Sequence, residues 1–242
     1  MMIQPEIIFE DNDLIVVNKP SGWLSIPDRF DPSKPNLISF FQKLNKSVLI
    51  VHRIDRETSG LIIFAKNEDA HRSLNQQMMD KTAEKYYWAL TEGVGSPPIG
   101  EINQPIAESM TRSGTMLIAN RGKDSLTTYQ TIENFKHFTL LEVRIHTGRM
   151  HQVRVHLQSI GYPLAVDSIY GRRESIAITD IKTKKLHLPK YQTEAKPMID
   201  RITLHAKKLI ISHPVSNEIM TFEAPIHKDF KAVLDQLRKW AS

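Results

Sequence analysis

The chain has no cysteine, so disulfide bridges and thiolate metal sites are excluded from the start. No apolar stretch approaches the length of a membrane span, and no charged-then-apolar leader precedes Ile7. A soluble, cytoplasmic protein is expected. There is no internal repeat, no clean linker and no nucleotide or cofactor motif. Nor does either sign of charge dominate. Lys plus Arg is 32 against 27 for Asp plus Glu, a formal net charge of +5. With a pI of about 9.3 this suits a polyanionic partner, although a few surplus lysines also occur in ordinary cytosolic proteins.

What the chain does have is a dense run of ionisable groups between two apolar ones. His52-Arg53-Ile54-Asp55-Arg56-Glu57-Thr58-Ser59-Gly60 lies between Val48–Val51 and Leu61–Ala65. Both flanks are short and rich in branched residues, as strands are. Chemistry is often placed on a loop held by such a scaffold. Asp55 sits between Arg53 and Arg56, and neighbouring cations favour a charged carboxylate. That carboxylate suits a nucleophile, a general base or an electrostatic stabiliser. A solvated, charge-balanced turn would have the same spacing.

The 242 residues fit one large domain or two small ones, and the pattern predicts one α+β domain over 1–242. Glu6–Phe9 and Leu14–Val17 flank Asp11-Asn12-Asp13 as a hairpin. Leu37, Phe40, Phe41 and Leu44 have helical spacing, a second helix is expected over Asp69–Met79, and Phe230, Val233, Leu234 and Leu237 mark a last one. Strands are expected at Lys85–Thr91, Thr115–Ala119, Leu126–Ile132, Phe138–Ile145, Ile202–Ser212 and Ile219–Phe222. Hairpins outnumber strand-helix-strand units, which predicts a mixed, largely antiparallel sheet with flanking helices.

A further helix is expected near Arg149–Ser159, with Thr147 as N-cap and Gly161 as terminator. Met150, Val153, Leu157 and Ile160 would share its apolar face, with Arg154 at the edge. A guanidinium partly buried there needs an anion, so a carboxylate partner is expected. His146, His151 and His156 are five apart, which points neighbours in different directions on helix or strand, so no metal site is expected. Tyr87 alternates with Ala89 on one face of its strand and, by pattern, is either a core aromatic or a site residue.

Five stretches in order carry a family resemblance. His52 through Lys66 resembles the His-Arg-Leu-Asp-x-x-Thr-Ser-Gly-Leu-x-x-x-Ala-Lys run of the RluA-type RNA pseudouridine synthases, with Ile54 in place of Leu. Asn18–Gly22 is similar to their opening motif, and Lys85–Ala89 to their Lys-x-Tyr-x-Ala. Thr147–His156 is similar to Gly-Arg-Thr-His-Gln-Ile-Arg-Val-His. Leu204-His205-Ala206 with His213-Pro214 is similar to their C-terminal pattern. The matches span about Ile7 to Pro225. Met150 departs from the usual small hydroxyl residue, and Leu164-Ala165-Val166-Asp167 lacks the glycine common before that aspartate.

The resemblance implies the pseudouridine synthase catalytic fold without an N-terminal S4-like RNA-binding domain. It implies isomerisation of uridine in structured ribosomal or transfer RNA after base flipping. Asp55 would be the essential carboxylate, Arg154 its partner, and Tyr87 the residue stacked on the target base. Arg53 would fill the space the base leaves, with His52, Arg56, Arg149 and His151 contacting RNA. Lys19-Pro20-Ser21-Gly22 would support the site. Neither metal nor cofactor is implied, and a monomer is expected. The stretch 172–201, with Lys182, Lys184, Lys185, Lys190 and Lys196, shows no sustained period and reads as a basic lid over RNA or as a mobile surface insertion. Two other classes share parts of this pattern: an inactive RNA-binding protein that keeps the fold, and a metal-dependent nuclease. An intact Asp55, Tyr87 and Arg154 argues against the first, and the lack of clustered carboxylates against the second.

Overall fold

The computed structural model describes residues 3–94, 97–182 and 196–241. In chain order the first elements are β1 (Glu6–Glu10), β2 (Leu14–Lys19), α1 (Leu37–Lys43), β3 (Leu49–Ile50), β4 (Ser59–Ala65), α2 (Glu68–Met79) and β5 (Glu84–Glu92). Then come β6 (Ile99–Asn103), β7 (Ile106–Glu108), β8 (Met116–Ile118), β9 (Leu126–Asn134), β10 (Phe138–Ile145) and α3 (Gln152–Ser159). The chain ends with β11 (Ile176–Ala177), α4 (Ile178–Ile181), β12 (Pro197–Ile199), β13 (Leu204–Ser212), β14 (Ile219–Glu223) and α5 (Lys228–Trp240). It divides into two compact units: Met1–Tyr87 with His205–Pro225, and Trp88–Leu204 with Ile226–Ser242.

In the first unit β1, β2, β4 and β13 lie side by side. The β1–β2 hairpin forms as expected, because the Asp11 carboxylate accepts the N–H groups of Asp13 and Leu14 and so closes the turn. β2 runs antiparallel to β4 from Leu14↔Ala65 to Lys19↔Gly60, and both strands are buried along their whole length. β13 joins β4 in parallel at His205↔Ser59, and β14 closes that side antiparallel to β13. α1 starts at the N-cap Asn36, whose side chain accepts the Ser39 N–H, and packs Leu37 and Phe41 on Ile15, Val17, Ile62 and Phe64. α2 is capped in the same way by Asn67.

In the second unit β10, β9 and β6 form an antiparallel run, and α5 covers a core of Leu90, Phe138, Leu140, Phe230, Val233, Leu234 and Leu237. The α5 spacing expected from sequence is the one observed. Sequence patterning missed β6, β7, β11, β12 and α4, which are short or have few buried residues. Residues 172–182 and 196–201 are more ordered than their aperiodic sequence suggests. β11 and β12 form a small antiparallel ribbon, and Ile176, Ile181 and Ile199 are buried against the α5 core. Lys184, Lys185 and Lys190 lie outside the described residues.

α3 begins later than expected. Its N-cap is His151 in the left-handed conformation (φ 56°), not Thr147. The Thr147 hydroxyl instead donates to Gln152 Oε1 and accepts the Leu126 N–H. Arg154 is buried more deeply than a helix edge suggests, with 4% of its side chain exposed, and it has the carboxylate its burial demands. Its Nε and Nη2 donate to the two oxygens of Asp167 at 2.7 and 2.8 Å. Burial alone would raise the Asp167 carboxyl. The Arg154 hydrogen bonds and charge, with the N–H groups of Ile169 and Tyr170, outweigh that and hold it below the usual carboxylate range.

Gly60 shows how tightly the first unit is built around the charged run. It has φ +109°, and a Cβ there would lie 2.2 Å from the backbone oxygen of Ala206 on β13. Gly60→Ala is therefore expected to cost at least about 2–3 kcal/mol, from backbone strain and the displaced strand together. Urea unfolding monitored by circular dichroism checks this, and a midpoint equal to wild type would contradict it.

Candidate active site

The loop between β3 and β4 carries the charged run and is held from beneath by backbone contacts. Lys19, at the end of β2, is fully buried. Its ammonium donates to the carbonyls of Pro20, Trp23 and Arg56 at 3.1, 2.7 and 2.9 Å. The Gly22 N–H also donates to the Arg56 carbonyl, and Arg56 Nε returns a bond to the Gly22 carbonyl. The Ser25 hydroxyl donates to the Ile54 carbonyl and accepts the Ile54 N–H. Asp55 is thus flanked on both sides by residues whose main chain is fixed, and its own carbonyl accepts the Thr58 N–H at 3.1 Å. The opening motif supports the loop, as its resemblance implied.

Tyr87 on β5 is buried, with 7% of its surface exposed. Burial pushes its hydroxyl well above the ordinary tyrosine range, and the Asp55 carboxylate pushes it further the same way. The two side chains are therefore close enough to interact electrostatically within the first unit. His52 is neutral. Burial drives its pKa down to about 3, with the Lys85 charge as the second cause. The ring is a structural pin, since its Nε2 accepts the Ile63 N–H at 3.3 Å. His52, Leu61, Lys85, Tyr87, Ala206 and Lys208 line a narrow cleft. Arg53 and Arg56 are exposed at the mouth of the loop.

The remaining predicted residues belong to the second unit. Arg149 is partly exposed, and its Nε donates to the Asp124 carbonyl. His151 Nδ1 shares a 2.8 Å hydrogen bond with the Tyr170 hydroxyl, which also accepts the Met116 N–H. Arg154 lies 4.9 Å from the centre of the Tyr170 ring. Its carboxylate partner among the described bonds is Asp167. The three histidines five residues apart do diverge: His146 meets Thr128, His151 meets Tyr170, and His156 meets Thr127 and the Gln104 carbonyl.

Among the described residues a different group has ligand-like spacing: Asp11, Asp13 and His213. The His213 ring is already committed on both nitrogens. Nδ1 accepts the Val215 and Ser216 N–H groups, which leaves the proton on Nε2, 3.0 Å from Asp11 Oδ2. This arrangement locks two hairpins together.

Sequence reasoning missed Asp167, Tyr170, Ser25 and Lys85 as site residues. Asp167 had been noted only for the glycine missing before it, and Lys85 only as a letter of a motif. The signal available was the need of buried Arg154 for an anion, which gives the partner's chemistry and not its position.

Comparison with known proteins shows the family. The family model described as RNA pseudouridylate synthase matches residues 13–159. The chain is 36% identical over 242 residues to the uncharacterized RNA pseudouridine synthase YlyB of Bacillus subtilis, covering 97% of this chain and 73% of that protein. It is 36% identical to ribosomal large subunit pseudouridine synthase D of Zymomonas mobilis, over 96% of this chain and 72% of the relative. It is 33% identical to ribosomal large subunit pseudouridine synthase C of Escherichia coli, over 96% and 70%. Among solved structures, human RNA pseudouridylate synthase domain containing 1 superposes with a TM-score of 0.69 at 23% identity, covering 97% of this chain and 95% of the other. Domain containing 4 gives 0.70 at 24%, covering 96% and 92%. These last two establish a shared fold, the α+β sheet with flanking helices expected from sequence. The chain belongs to the RNA pseudouridine synthase family, in its RluA-type branch, and is an enzyme that isomerises uridine in RNA to pseudouridine.

Proposed function

We propose that the substrate is a uridine in structured ribosomal or transfer RNA, and that Asp55 is the essential carboxylate of the reaction. The observation that carries this reading is the electrostatic proximity of Asp55 to buried Tyr87, on a loop whose backbone is clamped on both sides of the aspartate. Ribosomal RNA is favoured because two of the relatives are named for the large ribosomal subunit. The reaction breaks the C1′–N1 bond, turns the base and joins C5 to C1′. It needs no net redox change and no second substrate. A paired uridine hides that bond, so the nucleotide is flipped out first. Tyr87 then stacks on the base, and its hydroxyl stays protonated through the physiological range because burial and Asp55 both oppose ionisation.

Arg154 is the third member on the strength of the resemblance. Its bidentate bond to Asp167 fixes the plane of the guanidinium and leaves Nη1 outside that bond. Arg53, exposed beside Asp55, is the group that takes the place of the flipped base, since a planar guanidinium stacks on neighbouring bases. Arg56, Arg149 and His151 contact the RNA backbone, and His52 contributes as a neutral pin within the site. We assign the chain to the cytoplasm as a monomer. The target itself is read by mapping pseudouridines in ribosomal and transfer RNA from a deletion strain. Loss of one or a few sites supports the reading, and an unchanged map removes these RNAs as substrates.

Asp55→Asn is expected to fold as wild type and to lose at least about a thousandfold in single-turnover rate, as a neutral amide is neither nucleophile nor base. Retention of a tenth of the wild-type rate would remove Asp55 from the central role.

Arg53→Ala is expected to slow turnover more than binding, since most affinity comes from phosphate contacts elsewhere. The loss should correspond to a few kcal/mol on a paired target, the scale of unstacking, and shrink when the uridine is bulged or mismatched. Rates on the two kinds of target decide the matter. An equal loss on both would place Arg53 in the electrostatics of Asp55 and outside flipping.

A further inference from the structure

Among the described residues, Lys85 forms no ion pair with a carboxylate. It precedes Tyr87 by two residues on β5, so both side chains leave the same face of the strand, with Cβ atoms about 7 Å apart. It lines the same cleft as His52 and Tyr87. Burial pushes the Lys85 ammonium below the ordinary lysine range. The other groups facing it cannot neutralise it. His52 is uncharged, Tyr87 keeps its proton, and Lys208, across the cleft on β13, is a second cation whose Nζ lies 4.1 Å from the centre of the Tyr86 ring. A partly desolvated cation is costly, and such groups gather where function requires them.

The missing anion is supplied by the reaction, if the reading of Asp55 and Tyr87 given above holds. When C1′–N1 breaks, the bonding electron pair stays with the base, and uracil carries a negative charge over N1, O2 and O4. That charge is discharged when C5 bonds to C1′; the C5 proton then departs to a base and N1 takes up a proton. Were Asp55 first to add to C6 of the base, the charge would appear on O4 instead. Whether Asp55 attacks ribose, attacks base or removes a ribose proton, the ring is electron-rich before the new bond forms. We propose that Lys85 is a further catalytic residue, whose ammonium faces the uracil stacked on Tyr87 and stabilises the negative charge that develops on it. A side chain of this length, one pleat away from Tyr87, reaches the edge of a ring stacked there. A fixed charge in a dry cleft acts most strongly on charge that exists only in the transition state.

The test uses single-turnover rates and RNA dissociation constants for the whole chain. Lys85→Met is expected to lower the rate about a hundredfold or more while RNA binding changes little. Because the chain has no cysteine, Lys85→Cys can be alkylated with bromoethylamine at that position alone, which restores an ammonium on a side chain of nearly the same length. Alkylation should recover at least a tenth of the lost rate. The wild-type rate should fall on the alkaline side as Lys85 deprotonates. In the alkylated variant, whose thioether amine is more acidic, that fall should move to lower pH. A wild-type rate in Lys85→Met would overturn the proposal. So would a loss confined to the dissociation constant, which marks a phosphate contact, or an alkaline limb that stays in place after alkylation. If Lys85→Met does not fold, alkylated Lys85→Cys and its pH profile decide alone. A wild-type protein that makes no pseudouridine in any RNA would defeat the substrate reading itself, whereas active wild type with active Lys85→Met defeats only this inference.

Discussion

The site depends on one buried cation used as a structural bolt. The Lys19 ammonium is bonded to three main-chain carbonyls, one of which, Arg56, follows Asp55 directly. A charge bonded to neutral acceptors this deep is expensive to bury, and removing it would strand those carbonyls as well. The turn Lys19–Gly22 and the charged loop are therefore coupled. Ser25 adds a reciprocal pair to Ile54 on the other side of the aspartate. Two short loops, neither stiff alone, hold Asp55 by its neighbours, which suits the role proposed for it.

Lys19 and Lys85 in the first unit show opposite uses of the same group. Lys19 is saturated by backbone acceptors and has no capacity left for a ligand. Lys85 is partly desolvated, with no ion-paired carboxylate among the described residues, beside a histidine held neutral and a tyrosine held protonated. Such an environment favours negative charge that arises in it, which is the basis of the role proposed for Lys85. In the second unit the corresponding problem is solved by an ion pair. Arg154 is fixed by Asp167, which two backbone N–H groups hold in turn, and removing either partner from so buried a pair would leave an uncompensated charge.

Much of this was legible in the sequence, for identifiable reasons. The β1–β2 hairpin, α1, α2, β10 and α5 follow from short-range patterns and caps, and these elements form where the pattern is strong. Thr147 is misleading as a cap because its hydroxyl finds Gln152 and Leu126, contacts that depend on β9 lying alongside. β11 and β12 escape notice because two- and three-residue strands carry no period, and only their burial against α5 reveals them. For the site, the charged run and Tyr87 announce themselves through motif and spacing. Asp167 and Ser25 do not, because each acts through a partner 13 to 29 residues away. A one-dimensional reading shows that Arg154 needs an anion, and the fold brings Asp167 to it.

The most direct measurement is tritium release from RNA labelled at C5 of uridine, with the purified protein in buffer containing EDTA. Forming the C–C glycosidic bond must expel the C5 hydrogen, whichever route Asp55 takes. The account predicts time-dependent release from unmodified ribosomal or transfer RNA, undiminished by the chelator, with a matching amount of pseudouridine on nuclease digestion. Absence of release from every such RNA, or release that the chelator abolishes, would contradict it.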